Sequence, residues 1–117
     1  MKNKINSNRN NEFKALENQY DIMYITARDH YVDLHYRNGK CLYPKQTMEY
    51  TYSCLDKSVF LRVHKSHIVN MNFVKYYYKQ GRSLALKMLK GDDIPVSKWM
   101  KKEFKHMASC FPAITRL

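Results

Sequence analysis

Acids, glycine and cysteine are all scarce in this chain, and each scarcity removes a class of function. Only ten Asp and Glu occur in 117 residues, and between Lys57 and Lys105 the only acids are Asp92, Asp93 and Glu103. A metal-dependent nuclease needs clustered carboxylates from separate elements, whereas Asp92-Asp93 follows Gly91 and reads as a turn pair. The three glycines, Gly39, Gly81 and Gly91, are single and far apart. There is accordingly no glycine-rich phosphate loop, and no GxSxG elbow either. The three cysteines, Cys41, Cys54 and Cys110, are odd in number and form no CxxC pair. They argue against a disulfide framework or a structural zinc site and read as partly buried thiols in a reducing compartment. His64 and His67 make an HxxH pair with no third ligand in view. No apolar run approaches the roughly 20 residues that span a bilayer, and the Asn- and Lys-rich start lacks the apolar core of a secretory signal. These absences predict a cytoplasmic domain that is not an enzyme, with no cofactor, metal, membrane or small-molecule substrate.

What the chain has is positive charge. Lys and Arg number 21, which leaves a formal net charge of +11 and a pI near 9.6. Such a field attracts polyanions, and neutralising phosphates releases condensed counterions. No basic amphipathic segment carries the exposed apolar face that adsorption to a membrane requires. The charge therefore points to nucleic acid.

The length supports one domain. Residues 1–11 hold five Asn and little apolar content and read as a tail; residues 12–19 could be a helical turn or an extended lead-in, leaving 20–117 as the folded part. From there the pattern is β-rich. Residues 22–26 form an apolar run suited to a buried strand. Residues 30–37 alternate, with Val32, Leu34 and Tyr36 on one face. Asn38-Gly39 then predicts a type I′ hairpin into residues 40–43, which Pro44 closes. Thr47 can cap a short helix over 48–55, with Met48, Tyr52 and Leu55 inward. A β block at 59–64 leads to an irregular stretch, 65–72, and a strand at 73–78. Residues 83–89 point Leu84, Leu86 and Met88 inward, and 94–96 form a short segment. Ser97 is a suitable N-cap for a last helix whose stripe is Met100, Phe104, Met107, Ala108 and Phe111, stopped by Pro112. Trp99 and Phe104 are both read as packing positions. The fold class expected is mostly β, with one or two short helices.

Three segments, in order, resemble the LytTR DNA-binding family. The first runs from Tyr24-Ile25-Thr26-Ala27 through His30-Tyr31-Val32 to the Asn38-Gly39 hairpin. The second, and the most specific, is Phe60-Leu61-Arg62-Val63-His64-Lys65-Ser66-His67-Ile68-Val69-Asn70. The third is Ile94-Pro95-Val96-Ser97-Lys98. The match covers roughly residues 20–110. The resemblance implies short antiparallel sheets in an elongated domain. It also implies a bacterial transcription regulator, either the output half of a two-component response regulator or a stand-alone protein; the initial Met favours the latter. Such domains bind double-stranded promoter DNA at direct repeats, through loops in the major groove, with a second copy on the adjacent repeat. Carried over by motif, the base-contacting residues are His30, Lys65 and Lys98. Lysine at 98, where the family often has arginine, loses the bidentate fork for guanine. Arg62, Ser66, Asn70, Ser97, Lys101 and Lys102 are candidates for the DNA backbone, although a structural role suits Asn70 better, since Asn at the end of an irregular segment often bonds its own backbone. His64 faces inward or caps its segment.

The rival reading is an RNA or single-stranded nucleic-acid module. Ten tyrosines, including Tyr76-Tyr77-Tyr78, could offer stacking faces. In a strand only Tyr76 and Tyr78 would share a face. A third reading, a basic surface for an acidic protein partner, predicts no preference among DNA sequences.

Overall fold

The apolar run becomes strand β1 (Ile22–Arg28), whose first four residues are all buried. A strand buried on both sides needs cover on both. Ile22 and Ile25 face helix α1 (Met48–Ser53), in a cluster with Val32, Leu34, Met48, Leu55, Phe60 and Ile68. Met23 and Tyr24 turn to the opposite cluster, with Leu61, Val63 and Val69. Two successive residues on one face require a break in the alternation, and the pairing register shifts between Ile22 and Tyr24. This computed structural model describes residues 18–117; the tail expected at 1–11 and all but the last two residues of the lead-in expected at 12–19 lie outside the described residues.

Around β1 the chain builds one sheet from β2 (Tyr31–Tyr36), β3 (Cys41–Leu42), β4 (Phe60–His64) and β5 (His67–Asn70), in the order β3-β2-β1-β5-β4. The second sheet holds β6 (Val74–Gln80), β7 (Ser83–Met88), β8 (Asp93–Val96) and β9 (Thr115–Arg116), in the order β8-β7-β6-β9. Its pairs are antiparallel except β9, which lies parallel to β6. Leu84, Leu86 and Met88 face inward as their spacing predicts, and Phe104 and Ala108 of helix α2 (Lys101–Ala108) close the same cluster. The molecule is mostly β and elongated, 52 × 25 × 23 Å.

Four local expectations need correction. The Asn38-Gly39 hairpin exists, but its loop has three residues, Arg37 to Gly39, because Leu34 pairs with Leu42 and His35 with Cys41. Only Gly39 takes a positive φ, +89°, so the turn is not type I′. The Asn38 side chain instead accepts from the Lys40 N–H at 2.9 Å, and Gly39 occupies the left-handed position of a three-residue loop. Residues 65–72 are not irregular. A two-residue turn, Lys65-Ser66, leads into β5, which pairs with both β1 and β4; a single 3-10 turn, Met71–Phe73, follows. Ser97 makes no side-chain capping bond; a 3-10 turn, Lys98–Met100, precedes α2, which begins at Lys101. Trp99 is not a packing position. It is 82% exposed, because the turn directs Met100 and Phe104 to the core and residue 99 away from it.

A polar pair joins the central strand of the first sheet to the turn before β8 of the second. The Tyr24 hydroxyl donates to Asp92 Oδ2 at 2.9 Å, and burial, then that hydrogen bond, push its pKa up to about 12. The Tyr24 ring stacks on His35 with centroids 4.3 Å apart. Burial lowers the His35 pKa, against the smaller opposing pull of Asp33 and Asp92. An unfolded chain therefore binds this proton more readily than the folded one. The stabilisation from neutral His35 is present above the ordinary histidine value of about 6.5 and is lost as pH falls through it toward the lower folded value. Urea unfolding between about pH 7.5 and about pH 5 should show stability falling with acidity, with a shallower slope in His35→Gln. Phe104, fully buried and edge-on to Tyr77 at 5.2 Å, should cost about 3–5 kcal/mol when cut to alanine. Unchanged thermal melting of Phe104→Ala would contradict the core assigned to α2.

Candidate nucleic-acid interface

Strand direction decides which turns share an end of the molecule. β1 runs out to the turn Asp29-His30, and β5, antiparallel to it, starts from the turn Lys65-Ser66. The two turns are tied directly, since the Ala27 N–H donates to the Ser66 carbonyl at 3.0 Å. The third segment is tied to the same place, because the Ser97 N–H donates to the Val63 carbonyl at 2.9 Å. Three segments far apart in sequence thus meet at one end of the stacked sheets, each with a basic or imidazole side chain: His30, Lys65 and Lys98. All three residues are exposed.

Each turn is built by identifiable local chemistry. The β1–β2 loop has only two residues, and Asp29 takes φ +55°, the positive first position that primed hairpin turns require. An aspartate tolerates that conformation better than most residues. Beside it, Arg28 Nε bonds Asp33 Oδ1 at 2.7 Å, and its guanidinium lies over the Tyr43 ring at 5.4 Å. The Lys65-Ser66 turn contains no glycine and is held by side chains instead. Arg62 Nη2 donates to the Lys65 carbonyl at 2.6 Å, while its Nη1 reaches Glu49 Oε2 at 3.2 Å. His64 Nδ1 accepts from the Ser66 N–H at 3.1 Å, so His64 caps the turn. The His67 ring stands edge-on to His64 at 5.3 Å, and burial, then its histidine neighbour, lower its pKa. In the third segment, Lys98 Nζ lies 4.9 Å from the centre of the Trp99 ring.

The remaining candidates divide. Ser66 and Ser97 lie within the converging turns. Lys102 is exposed on α2. Arg62 is committed to shaping the Lys65 turn by the two bonds above. Asn70 is completely buried, and its side chain donates to the Tyr20 and Ile22 carbonyls at 3.3 and 3.0 Å and accepts from the Asn72 N–H at 2.9 Å. It is withdrawn as a contact to the DNA backbone, since no surface atom remains to make one.

A fourth turn, which Gly81 marks in the sequence without suggesting a place in the site, lies at the same end. Leu84 pairs with Val96, so the β6–β7 turn, Gly81-Arg82, lies beside the Ser97 end of β8. Lys101 Nζ donates to the Arg82 carbonyl, and Lys79, Arg82, Lys101 and Lys105 line one cleft. The available signal was a lone glycine followed by arginine, which becomes informative only once strand order is known. Of the tyrosines in the rival reading, Tyr77 packs on Phe104, while Tyr76 and Tyr78 are half-buried with ring centres 6.0 Å apart and the Tyr78 hydroxyl donates to Asp93 Oδ2 at 2.6 Å. A separate cavity lies at the opposite end of β2, by Asp21, Tyr36, Arg37 and Asn38. Among the described residues no three His, Cys, Asp or Glu side chains gather to hold a metal, and no helix is long and apolar enough to cross a membrane.

Comparison with known proteins places this arrangement. The LytTr DNA-binding domain family matches residues 15–109. No curated protein sequence matches the chain. Among solved structures, it is similar to the LytTr DNA-binding domain of a Bacillus cereus protein described as a methyl-accepting/DNA response regulator. The two are 27% identical with a TM-score of 0.68, over 74% of this chain and 80% of the other. With a family match across most of the chain and a shared fold, the protein belongs to the LytTR DNA-binding domain family.

Proposed function

We propose that this domain binds double-stranded promoter DNA in a sequence-specific manner, as a bacterial cytoplasmic transcription regulator. In this reading His30, Lys65 and Lys98 reach base edges in the major groove. Ser66, Ser97, Lys101 and Lys102 contact the backbone, joined by Arg82, while Arg62 holds the Lys65 turn in shape. The observation that carries the reading is the convergence of three turns at one end, pinned by the bonds from Ala27 to Ser66 and from Ser97 to Val63. The major groove is about 12 Å wide and admits a two-stranded β-ribbon, and a hairpin tip such as Lys65-Ser66 is of that kind. A lysine there can donate to guanine O6 or N7, and a histidine can donate or accept. Two copies on adjacent direct repeats need no contact beyond the DNA itself.

The test is selection of bound sequences from a random duplex pool, followed by anisotropy at two salt concentrations with single-stranded RNA as competitor. Recovery of a short motif as a spaced direct repeat, resistant to the RNA, is expected. Tight binding without selection, or displacement by RNA, would make the basic end a general polyanion surface. Against the selected duplex, Lys65→Ala and Lys98→Ala should each lose about 1–3 kcal/mol, with much smaller losses on random DNA. Lys102→Ala should weaken binding to all sequences alike and flatten the salt slope by about one unit. Equal losses on specific and random duplexes for Lys65→Ala and Lys98→Ala would remove their base-reading role.

A further inference from the structure

Trp99 has no place in the fold. Tryptophan is among the most buried residues on average, yet here the indole is 82% exposed, while the next residues inward, Met100 and Phe104, are half-buried and buried. Two constraints hold it outward. Val96 is buried and the Ser97 N–H is fixed to the Val63 carbonyl, so the chain enters the 3-10 turn Lys98–Met100 at a set orientation. Met100 and Phe104 then take the inward side. The ring consequently stands at the end where the three turns meet, adjacent in sequence to one of the residues assigned to base edges. It is also oriented, because the Lys98 ammonium sits 4.9 Å from its centre. A cation–π contact of this kind holds both side chains together.

An exposed aromatic on a basic, nucleic-acid-facing end suits one feature of the duplex. In the major groove the apolar mark is the C5-methyl of thymine. A lysine beside a tryptophan can therefore read two adjacent properties, a guanine acceptor and a thymine methyl. We infer that Trp99 is a specificity-determining residue, whose indole packs on a thymine methyl next to the base contacted by Lys98. This inference rests on the duplex-reading function proposed above. The ammonium covers one side of the ring and leaves the other for the methyl. Because the contact is apolar it releases no counterions, and its loss should leave the salt dependence of binding unchanged.

The experiment uses the full chain and the duplex recovered by selection. Trp99 is the single tryptophan in the sequence, so its fluorescence reports this site alone. Binding should quench the emission and shield it from acrylamide. Trp99→Ala should melt as the parent does, since the ring packs on little, and should bind roughly tenfold more weakly at an unaltered salt slope. Trp99→Phe should recover part of the loss. Replacing thymine by deoxyuridine, one position at a time, removes only the methyl. At one position near the Lys98 guanine the parent should lose about fourfold, and Trp99→Ala should lose nothing further. A parent that binds the selected duplex while its fluorescence stays unchanged, or while Trp99→Ala binds equally well, would overturn the inference and leave the duplex-reading function standing. So would deoxyuridine losses that are the same in both proteins. A Trp99→Ala defect confined to cooperative binding of two repeats would assign the ring to a neighbouring copy instead. Failure to select any duplex would overturn both proposals.

Discussion

Asn70, a fully buried amide, stands where the chain passes from the first sheet to the second. With no exposed surface, it bonds the carbonyls of Tyr20, just before β1, and Ile22, its first residue, and the N–H of Asn72 in the turn that follows. Leaving these groups without partners in the interior would cost far more than the bonds contribute net. The amide therefore fixes the end of β5 against the beginning of β1. Between two sheet faces that are both apolar, this matters. A slip of one residue would exchange Ile68 and Val69 between clusters of different shape. It would also shift the Lys65-Ser66 turn relative to Asp29-His30, and with it the spacing of the basic end.

Electrostatics follow from the same topology. The ion pairs among the described residues are Arg28 with Asp33, Arg37 with Asp21, Arg62 with Glu49, and Lys87 with Asp93. These use four of the few carboxylates to shape turns and strand edges, and none of them involves Lys65, Lys98 or Lys102. Exposed pairs contribute little to stability, but here they decide which cations are already neutralised. Arg62 is the clearest case. It lies in the most specific motif of the sequence, yet its guanidinium supports the backbone on which Lys65 is presented, a positioning role that its charge alone would not reveal.

Much of the fold was legible. Alternation in β2 and β7 and the stripe of α2 are direct consequences of burial on one face, so Val32, Leu34, Leu84, Leu86, Met88 and Phe104 all lie where their spacing predicts. Motif order identified the three segments that meet at the basic end. Strand β5 was less visible because four residues, His67 to Asn70, are too few to show a period. Its turn lacks glycine, the local stability coming from Arg62 and His64 rather than from turn residues. Asn38-Gly39 suggested a two-residue loop, but register with Cys41 and Leu42 lengthened it.

The sequence by itself determined the family, the mostly β class and the sign of the charge, because each depends on composition or on contiguous motifs. Only the tertiary structure decided which turns meet, that Asn70 is sealed inside, that Arg82 joins the basic end, and that Trp99 faces solvent. The physical reason is the same in each case. Hydrophobicity states that a side chain can be buried, whereas strand order and backbone hydrogen bonds determine whether there is room for it. A tryptophan one residue from the core remains outside when its neighbours fill the available space.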